Sequence, residues 1–144
     1  MQILVDADAC PVKRIIIRLA KENNIPVTML IDTSHVLDDG YSKVITVDKQ
    51  ADSVDYALVR LLNSGDIAVT QDYGLAAMAL SRGARPINHN GMVYSDENID
   101  KLLMDRYVGQ KVRRGGGRTK GPAKRGKEDD ARFAAALAAL ITDT

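Results

Sequence analysis

Short runs of consecutive apolar residues alternate along the chain with longer stretches in which apolar residues recur every three or four positions. The short runs predict buried strands, and the periodic stretches predict amphipathic helices. The predicted strands are 3–5, 27–31, 43–47, 67–70 and 84–89. The predicted helices are 11–22, 50–64, 73–82, 95–107 and 128–141. Because strands alternate with helices, we expect βαβ units and a single three-layer α/β domain around a mostly parallel sheet.

Local signals refine this outline. Pro11 is expected at the first position of the first helix, where its missing N–H costs nothing. Pro86 cannot donate to a sheet ladder, so its strand is predicted at an edge. After the turn at Asn90, residues 92–94 are expected to pair with that strand as a hairpin. Tyr107 is expected to point inward from the fourth helix.

The composition is that of a soluble globular protein, with 45% hydrophobic and 27% charged residues among 144. No apolar run approaches the roughly 20 residues of a membrane helix, and no signal-peptide pattern opens the chain. These features predict a cytoplasmic protein that does not interact with membranes. Cys10 is the only cysteine, which excludes an intramolecular disulfide, and a packed turn residue is favoured over a nucleophile there.

Charge is distributed unevenly. The basic segment, residues 111–127, carries eight cations and no acid, whereas the rest of the chain has 12 basic residues against 19 acidic ones. This pattern predicts a polyanionic partner. We divide the chain into an α/β domain over 1–110, the flexible basic segment, and a C-terminal helix over 128–144 that packs on the domain or on a partner chain, as in a homodimer. The candidate nucleic-acid-binding residues are Arg113, Arg114, Arg118, Lys120, Lys124 and Arg125.

Carboxylates follow the predicted strands. In parallel βαβ units every strand ends at the same sheet edge, where ligands of open α/β sheets bind. The residues expected at this edge are Asp6, Asp8, Asp48, Asp52, Asp55 and Asp72. The alternative for Asp8 is a helix cap, and for Asp52 it is complementing the helix dipole. Asp6 ends a buried strand and therefore needs donors or a cation.

Repulsion between clustered carboxylates is relieved by cations. With two histidines and one cysteine in the chain, the donors are mostly oxygen, which favours Mg²⁺ or Mn²⁺ over zinc. Such ions activate water and stabilise the leaving oxygen in phosphodiester hydrolysis. The basic segment would contact the phosphate backbone.

Four stretches carry a family resemblance. They are the run from Val5 to Pro11, the block 51–55, the block 65–76 and the block 116–122. Together they resemble the YaiI/YqxD family of bacterial proteins, which is in turn similar to PIN-like metal-dependent nucleases. The resemblance covers nearly the whole chain, and it implies a PIN-like fold and hydrolysis of a nucleic acid, with RNA preferred to DNA.

The resemblance also implies roles for individual residues. Asp6 would be the first metal ligand and Asp72 the last, with Thr70 as support, and Asp52 or Asp55 would take the place of a mid-chain acid that is commonly Glu. Asp8 stands where PIN-type sites usually have a hydroxyl or amide residue.

Further candidates come from the residues themselves. Asp8 joins Asp6, Asp55 and Asp72 in the predicted catalytic set. Ser34 and His35, after the second strand, are weaker candidates for positioning a phosphate or a water.

Two alternatives remain open at this point. A strand that ends in Asp-x-Asp also resembles the haloacid dehalogenase phosphatases, in which Asp6 would attack phosphate and Asp8 would protonate the leaving group. The other alternative is a non-catalytic nucleic-acid-binding protein whose basic segment orders on binding. Aromatic residues make up only 4% of the chain, so platforms for base stacking are scarce.

Overall fold

The structure, a computed structural model, describes residues 1–32, 37–48, 53–114 and 124–143. This part of the chain forms five strands and five helices, in the α/β order expected. The strands are β1 Ile3–Asp6, β2 Val27–Ile31, β3 Lys43–Thr46, β4 Ile67–Val69 and β5 Arg85–Ile87. The helices are α1 Lys13–Glu22, α2 Val54–Leu61, α3 Tyr73–Ser81, α4 Asp96–Arg114 and α5 Lys127–Thr142. None of the helices in the described ranges is long and apolar enough to cross a membrane.

The five strands form one parallel sheet in the order β3-β2-β1-β4-β5. The chain starts in the middle at β1, builds outward through β2 to β3, and then crosses to the other side of β1 to add β4 and β5. The order therefore reverses between β1 and β4. In open α/β sheets this switch point is where a crevice forms beyond the carboxyl ends of the strands.

Alternate residues of each strand serve the two faces of the sheet, as the pleat requires. Ile3 and Val5 belong to the core under α1 and α5, whereas Leu4 belongs to the core under α2 and α3. The result is a three-layer α/β domain, as predicted, and it is consistent with a PIN-like arrangement. By the same alternation, Asp6 lies on the face of the sheet that α2 and α3 cover. Thr70, which directly follows β4 and is two residues beyond Ala68, lies on that face too.

The β5 edge matches its sequence signals. Pro86 lies in the edge strand, where its missing N–H leaves no ladder bond unmade, and its carbonyl accepts a hydrogen bond from Tyr94 N at 2.9 Å. The return strand after the turn is reduced to one antiparallel bridge between Ile87 and Val93. The predicted hairpin is therefore present in its shortest form.

The start of α1 differs from the prediction. The helix begins at Lys13 with Val12 as its N-cap residue, so Pro11 lies in the preceding turn and not at the first helical position. Ala9 adopts a left-handed conformation with φ +56°, and the resulting turn displaces the helix start by two residues.

α4 is longer than predicted. It starts with a reciprocal cap, in which Ser95 Oγ accepts from Asn98 N at 3.2 Å and Asn98 Oδ1 accepts from Ser95 N at 2.9 Å. It then runs through the start of the basic segment to Arg114. Tyr107 was expected to point inward but is 51% exposed, because the helix contacts α3 through its first half, around Ile99.

α5 packs on α1 and closes one face of the domain. Phe133, Leu137 and Ile141 lie in the same buried cluster as Ile3 and Val5. Arg85 holds the end of this helix, because its Nη1 donates to Leu140 O at 2.6 Å and to Asp143 O at 3.0 Å. Of the two surfaces considered for this helix, the structure shows it on the domain.

Candidate functional site

The register of β1 and β4 brings two polar side chains together at the switch point. Val5 pairs with Val69, so the next residues, Asp6 and Thr70, are neighbours on the α2 and α3 face. Thr70 Oγ1 donates to Asp6 Oδ2 at 3.2 Å, and Thr70 is fully buried. The Thr70 carbonyl accepts from Tyr94 Oη at 3.2 Å. The Asp6 carboxylate is thus oriented by a side chain that is itself fixed.

Asp72 lies on the same side of the switch point and starts α3. Its Oδ1 accepts hydrogen bonds from Gly74 N at 2.8 Å and Leu75 N at 3.1 Å, as an N-cap residue does. Its own N–H donates to Thr70 Oγ1 at 3.0 Å. A single Thr70 hydroxyl therefore links Asp6 and Asp72.

Asp55, in the first turn of α2, completes the group. Burial, the negative charge of Asp72, a hydrogen bond between the two carboxyl groups and the charge of Asp6 together raise the pKa of Asp55 to about 6. Burial is also the main cause that raises the pKa of Asp6, opposed by the Thr70 hydrogen bond and assisted by the charges of Asp72, Asp8 and Asp32. Burial and the neighbouring carboxylates therefore both disfavour ionisation of Asp6 and of Asp55.

Asp8 does not cap α1, since that helix begins without a side-chain cap. Its Oδ2 instead accepts from Asp32 N at 2.8 Å, which ties the turn after β1 to the end of β2. Asp32 brings one more carboxylate to this edge of the sheet.

The donor chemistry of Asp6, Asp55 and Asp72 suits a hard divalent cation. Within the described ranges, no three acidic, histidine or cysteine side chains lie close enough together to hold one metal ion. Mg²⁺ is commonly bound in proteins by only one or two carboxylates, with waters and substrate phosphate oxygens as the remaining ligands. Asp72 together with Asp6 or Asp55 would be such a pair.

A cavity of about 370 Å³ opens beside Asp6 and Asp8. Its other walls come from the turn after β1, the residue after Thr70, the turn after β5 and the segment that precedes α5. These further lining residues are Ala9, Pro11, Gln71, His89, Asn90 and Arg125. The lining thus includes two carboxylates, Asp6 and Asp8, and one guanidinium, that of Arg125.

Arg125 is held in place by three contacts. Its Nη2 donates to His89 O at 2.8 Å, its Nη1 donates to Asn90 Oδ1 at 2.7 Å, and its Nε donates to Asp130 Oδ1 at 2.9 Å. Gln71 Oε1 accepts from His89 N at 2.8 Å and joins the same wall. This residue of the basic segment is therefore fixed at the candidate site by α5 and by the turn after β5.

His89 is buried, and burial together with the charge of Arg125 lowers its pKa to about 4. The imidazole is therefore neutral at neutral pH. In the part of the chain that the structure describes, its Nε2 has no hydrogen-bond partner. Cys10 is also buried, and burial raises the pKa of its thiol, in keeping with the predicted packing role and not with a nucleophile.

Several predicted residues cannot be placed. Asp52, Ser34, His35, Arg118 and Lys120 lie outside the described residues. Arg113 and Arg114 are the last two residues of α4. Lys124 is exposed just before Arg125, and Asp48 is exposed beyond β3.

Gln71, Asn90 and Asp32 contribute to this region although they were not singled out from the sequence. Asp32 follows a predicted strand, so the same strand-end rule applied to Asp6 and Asp72 would have selected it. Gln71 and Asn90 have no such signal, because their position depends on how the turn after β5 meets α5.

Comparison with known proteins gives a consistent result. The family model described as "Uncharacterized BCR, YaiI/YqxD family" matches residues 4–143. A UPF0178 protein of Ruminiclostridium cellulolyticum is 62% identical over 98% of this chain and 92% of its own length. UPF0178 proteins of Clostridium acetobutylicum and Exiguobacterium sibiricum are 51% and 47% identical, over 98% and 99% of this chain and 97% and 98% of their own lengths. No solved structure matches the chain. The chain therefore belongs to the YaiI/YqxD family.

Proposed function

We propose that this protein is a cytoplasmic nuclease that depends on Mg²⁺ or Mn²⁺ and hydrolyses phosphodiester bonds, in RNA in preference to DNA. The observation that carries the proposal is the convergence of Asp6, Asp55 and Asp72 at the β1–β4 switch point. Three interacting carboxyl groups at a buried strand end are costly unless a cation offsets their repulsion. A function that binds divalent metal accounts for that cost.

The residues around this group have distinct tasks. Thr70 fixes the orientation of Asp6, and the backbone of α3 fixes Asp72 through its cap. Asp55, whose pKa is raised to about 6, must be ionised to act as a ligand beside Asp72. A bound divalent ion would supply charge neutralisation at the scissile phosphate and a more acidic water.

The cavity supports a role in substrate binding. Its volume of about 370 Å³ falls within the range of small-ligand sites, so a nucleotide unit of the substrate could occupy it. Arg125 is fixed in its wall with each guanidinium nitrogen in a protein hydrogen bond, and the remaining N–H of Nη1 would serve a phosphate oxygen. Asp6 and Asp8 also line the cavity, and a divalent cation held there would offset their repulsion of a bound phosphate.

The phosphatase alternative gains no such support. It needs Asp8 to face the leaving group, but the Asp8 carboxylate accepts a hydrogen bond from the Asp32 backbone at the end of β2. The cleavage experiment described next distinguishes the nuclease from a protein that binds nucleic acid without cutting it.

The test is cleavage of end-labelled single-stranded RNA and DNA with Mg²⁺ or Mn²⁺, comparing the wild type with Asp6→Asn and Asp72→Asn. Asp105→Asn, at an exposed position on α4, is the matched control. We expect metal-dependent cleavage that is lost in both site variants and retained in the control. Absence of cleavage by the wild type, or equal cleavage by all four proteins, would reject the nuclease.

A further inference from the structure

A second cavity lies on the opposite face of the sheet from α3 and α4. It has a volume of about 560 Å³ and runs between α1 and residues 37–39. Its rim contains four cations of one helix, Lys13, Arg14, Arg18 and Lys21. We call this feature the α1 groove.

The density of basic residues in this part of α1 is higher than in the rest of the chain outside the basic segment. Outside the basic segment the chain has 12 basic residues, and one third of them lie within these nine positions. They fall on one side of the helix, at i, i+1, i+5 and i+8, and so form a stripe about 12 Å long. α1 itself contains one acid, Glu22.

The floor of the α1 groove is apolar and is formed by Ile17 and Leu37. Asp39 is its acidic member, and its charge lies within range of Lys21. The Asp39 carboxylate accepts from Tyr41 N at 2.9 Å, from Ser42 N at 2.6 Å and from the Ser42 hydroxyl. Lys21 Nζ lies 5.7 Å from the centre of the Tyr41 ring, which holds this cation at the far end.

The α1 groove begins next to the candidate site. α1 follows the turn that contains Asp8, and its first residue, Lys13, is close enough to Cys10 for its charge to act on that thiol, as do the charges of Asp6 and Arg125. The stripe of cations therefore leads away from the cavity at the switch point along the length of α1.

We propose that the α1 groove binds a single strand of nucleic acid that extends from the candidate site, with its phosphates on the cationic rim and a base on the apolar floor. Single-strand-binding surfaces combine a positively charged groove along the backbone with side chains against which the bases pack, most often aromatic ones. In the α1 groove the cations supply the charged track, and the aliphatic side chains of Ile17 and Leu37 supply the packing surface. A duplex is less well suited, because its bases are not available to enter a groove. The identity of the partner rests on the proposed nuclease function, and the binding surface does not depend on catalysis.

The test measures binding of a fluorescein-labelled single-stranded RNA oligonucleotide by anisotropy, in EDTA to prevent metal-dependent cleavage, at several salt concentrations. The α1 variant is Arg14→Gln with Arg18→Gln, both at exposed positions. The matched control is Lys101→Gln with Arg106→Gln, two exposed cations of α4 on the other face. Circular dichroism checks that both variants fold.

We expect the α1 variant to bind about tenfold more weakly at low salt and the control to bind as the wild type does. The slope of log K against log salt should become shallower by about 1.4, which corresponds to two lost phosphate contacts on a single strand. Unchanged binding by the α1 variant, equal loss in the control, or no binding by the wild type would overturn the proposal. So would binding to phosphatidylserine vesicles in place of RNA.

The two proposals fail separately. If the wild type cuts no substrate but its binding depends on Arg14 and Arg18, the nuclease is rejected and the α1 groove is retained. If the wild type cuts RNA and the α1 variant binds and cuts it equally well, the groove is rejected and the nuclease is retained.

Discussion

The Thr70 hydroxyl donates to the Asp6 carboxylate at 3.2 Å across the β1–β4 pair. The same oxygen accepts from Asp72 N, so two carboxylate-bearing segments depend on one buried side chain. A hydroxyl is the smallest group that can donate to one neighbour and accept from the other.

Replacing this hydroxyl should affect both stability and chemistry. Thr70→Val keeps the shape but leaves the Asp72 N–H without its acceptor, which should lower the free energy of unfolding by about 1–3 kcal/mol. Thr70→Ser should recover most of this loss. Urea unfolding measures the stability of each variant, and the cleavage assay shows whether activity follows the hydroxyl. Equal stability of the Val and Ser variants would contradict the predicted role.

Asp72 combines a cap with a proposed ligand, and two substitutions separate these roles. Asn is as good an N-cap as Asp, so Asp72→Asn should leave thermal stability nearly unchanged. Asp72→Ala removes the bonds to Gly74 N and Leu75 N and should cost about 1 kcal/mol. Loss of metal-dependent cleavage in both, with destabilisation in Ala alone, is the expected result. A stability loss in Asn as large as that in Ala would show that the cap is not what Asp72 contributes.

His89 predicts a pH dependence of stability. Its pKa in the folded state is about 4, below the value of about 6.5 for an unfolded chain, so the unfolded state takes up the proton first. The contribution of His89 to stability should be present above about pH 6.5, be lost as the pH falls to about 4, and change little below that. His89→Asn removes this contribution, so the difference in unfolding free energy between the two proteins should change across that window. A constant difference from pH 7 to pH 4 would count against the buried neutral imidazole.

Two glycines with similar backbone angles offer a matched comparison. A Cβ at Gly91 would lie 2.6 Å from Arg132 O, whereas one at Gly65 would meet nothing within 4 Å. Both have positive φ, at +90° and +87°, so alanine at either position costs about 1–2 kcal/mol in backbone strain. Gly91→Ala should be the more destabilising because it also pushes α5 away from the turn after β5. Thermal melts of the two variants measure the difference, and equal melting temperatures would contradict the contact.

The order of the strands and helices could be predicted from the sequence, and so could the edge of the sheet at which the carboxylates meet. Asp6 and Asp72 could be placed because parallel strands end together, and that rule requires no knowledge of side-chain packing. Pro86 was placed at an edge for a similarly local reason. Such predictions depend on backbone chemistry that acts within a few residues.

Other features depend on distant parts of the chain. Tyr107 was expected to be buried because it continues an apolar pattern. It is exposed because α4 extends past the end of its contact with α3. Arg125 contacts His89 O and Asn90 across 35 or more residues, and no local pattern specifies such a pairing. α1 starts at Lys13 and not at Pro11, because Ala9 adopts a left-handed conformation in the preceding turn. Nothing in the local sequence around Pro11 indicates that conformation.

The position of α5 has a consequence for protein synthesis. Every strand of the sheet precedes α5 in the chain, so the ribosome releases a sheet whose α1 face still lacks Phe133, Leu137 and Ile141. During that interval the apolar surface under α5 is open to chaperones and to aggregation. Asp130, which holds Arg125 at the cavity, also emerges with α5. The nascent domain therefore lacks the contact that fixes Arg125 beside the cavity until translation has passed the start of α5.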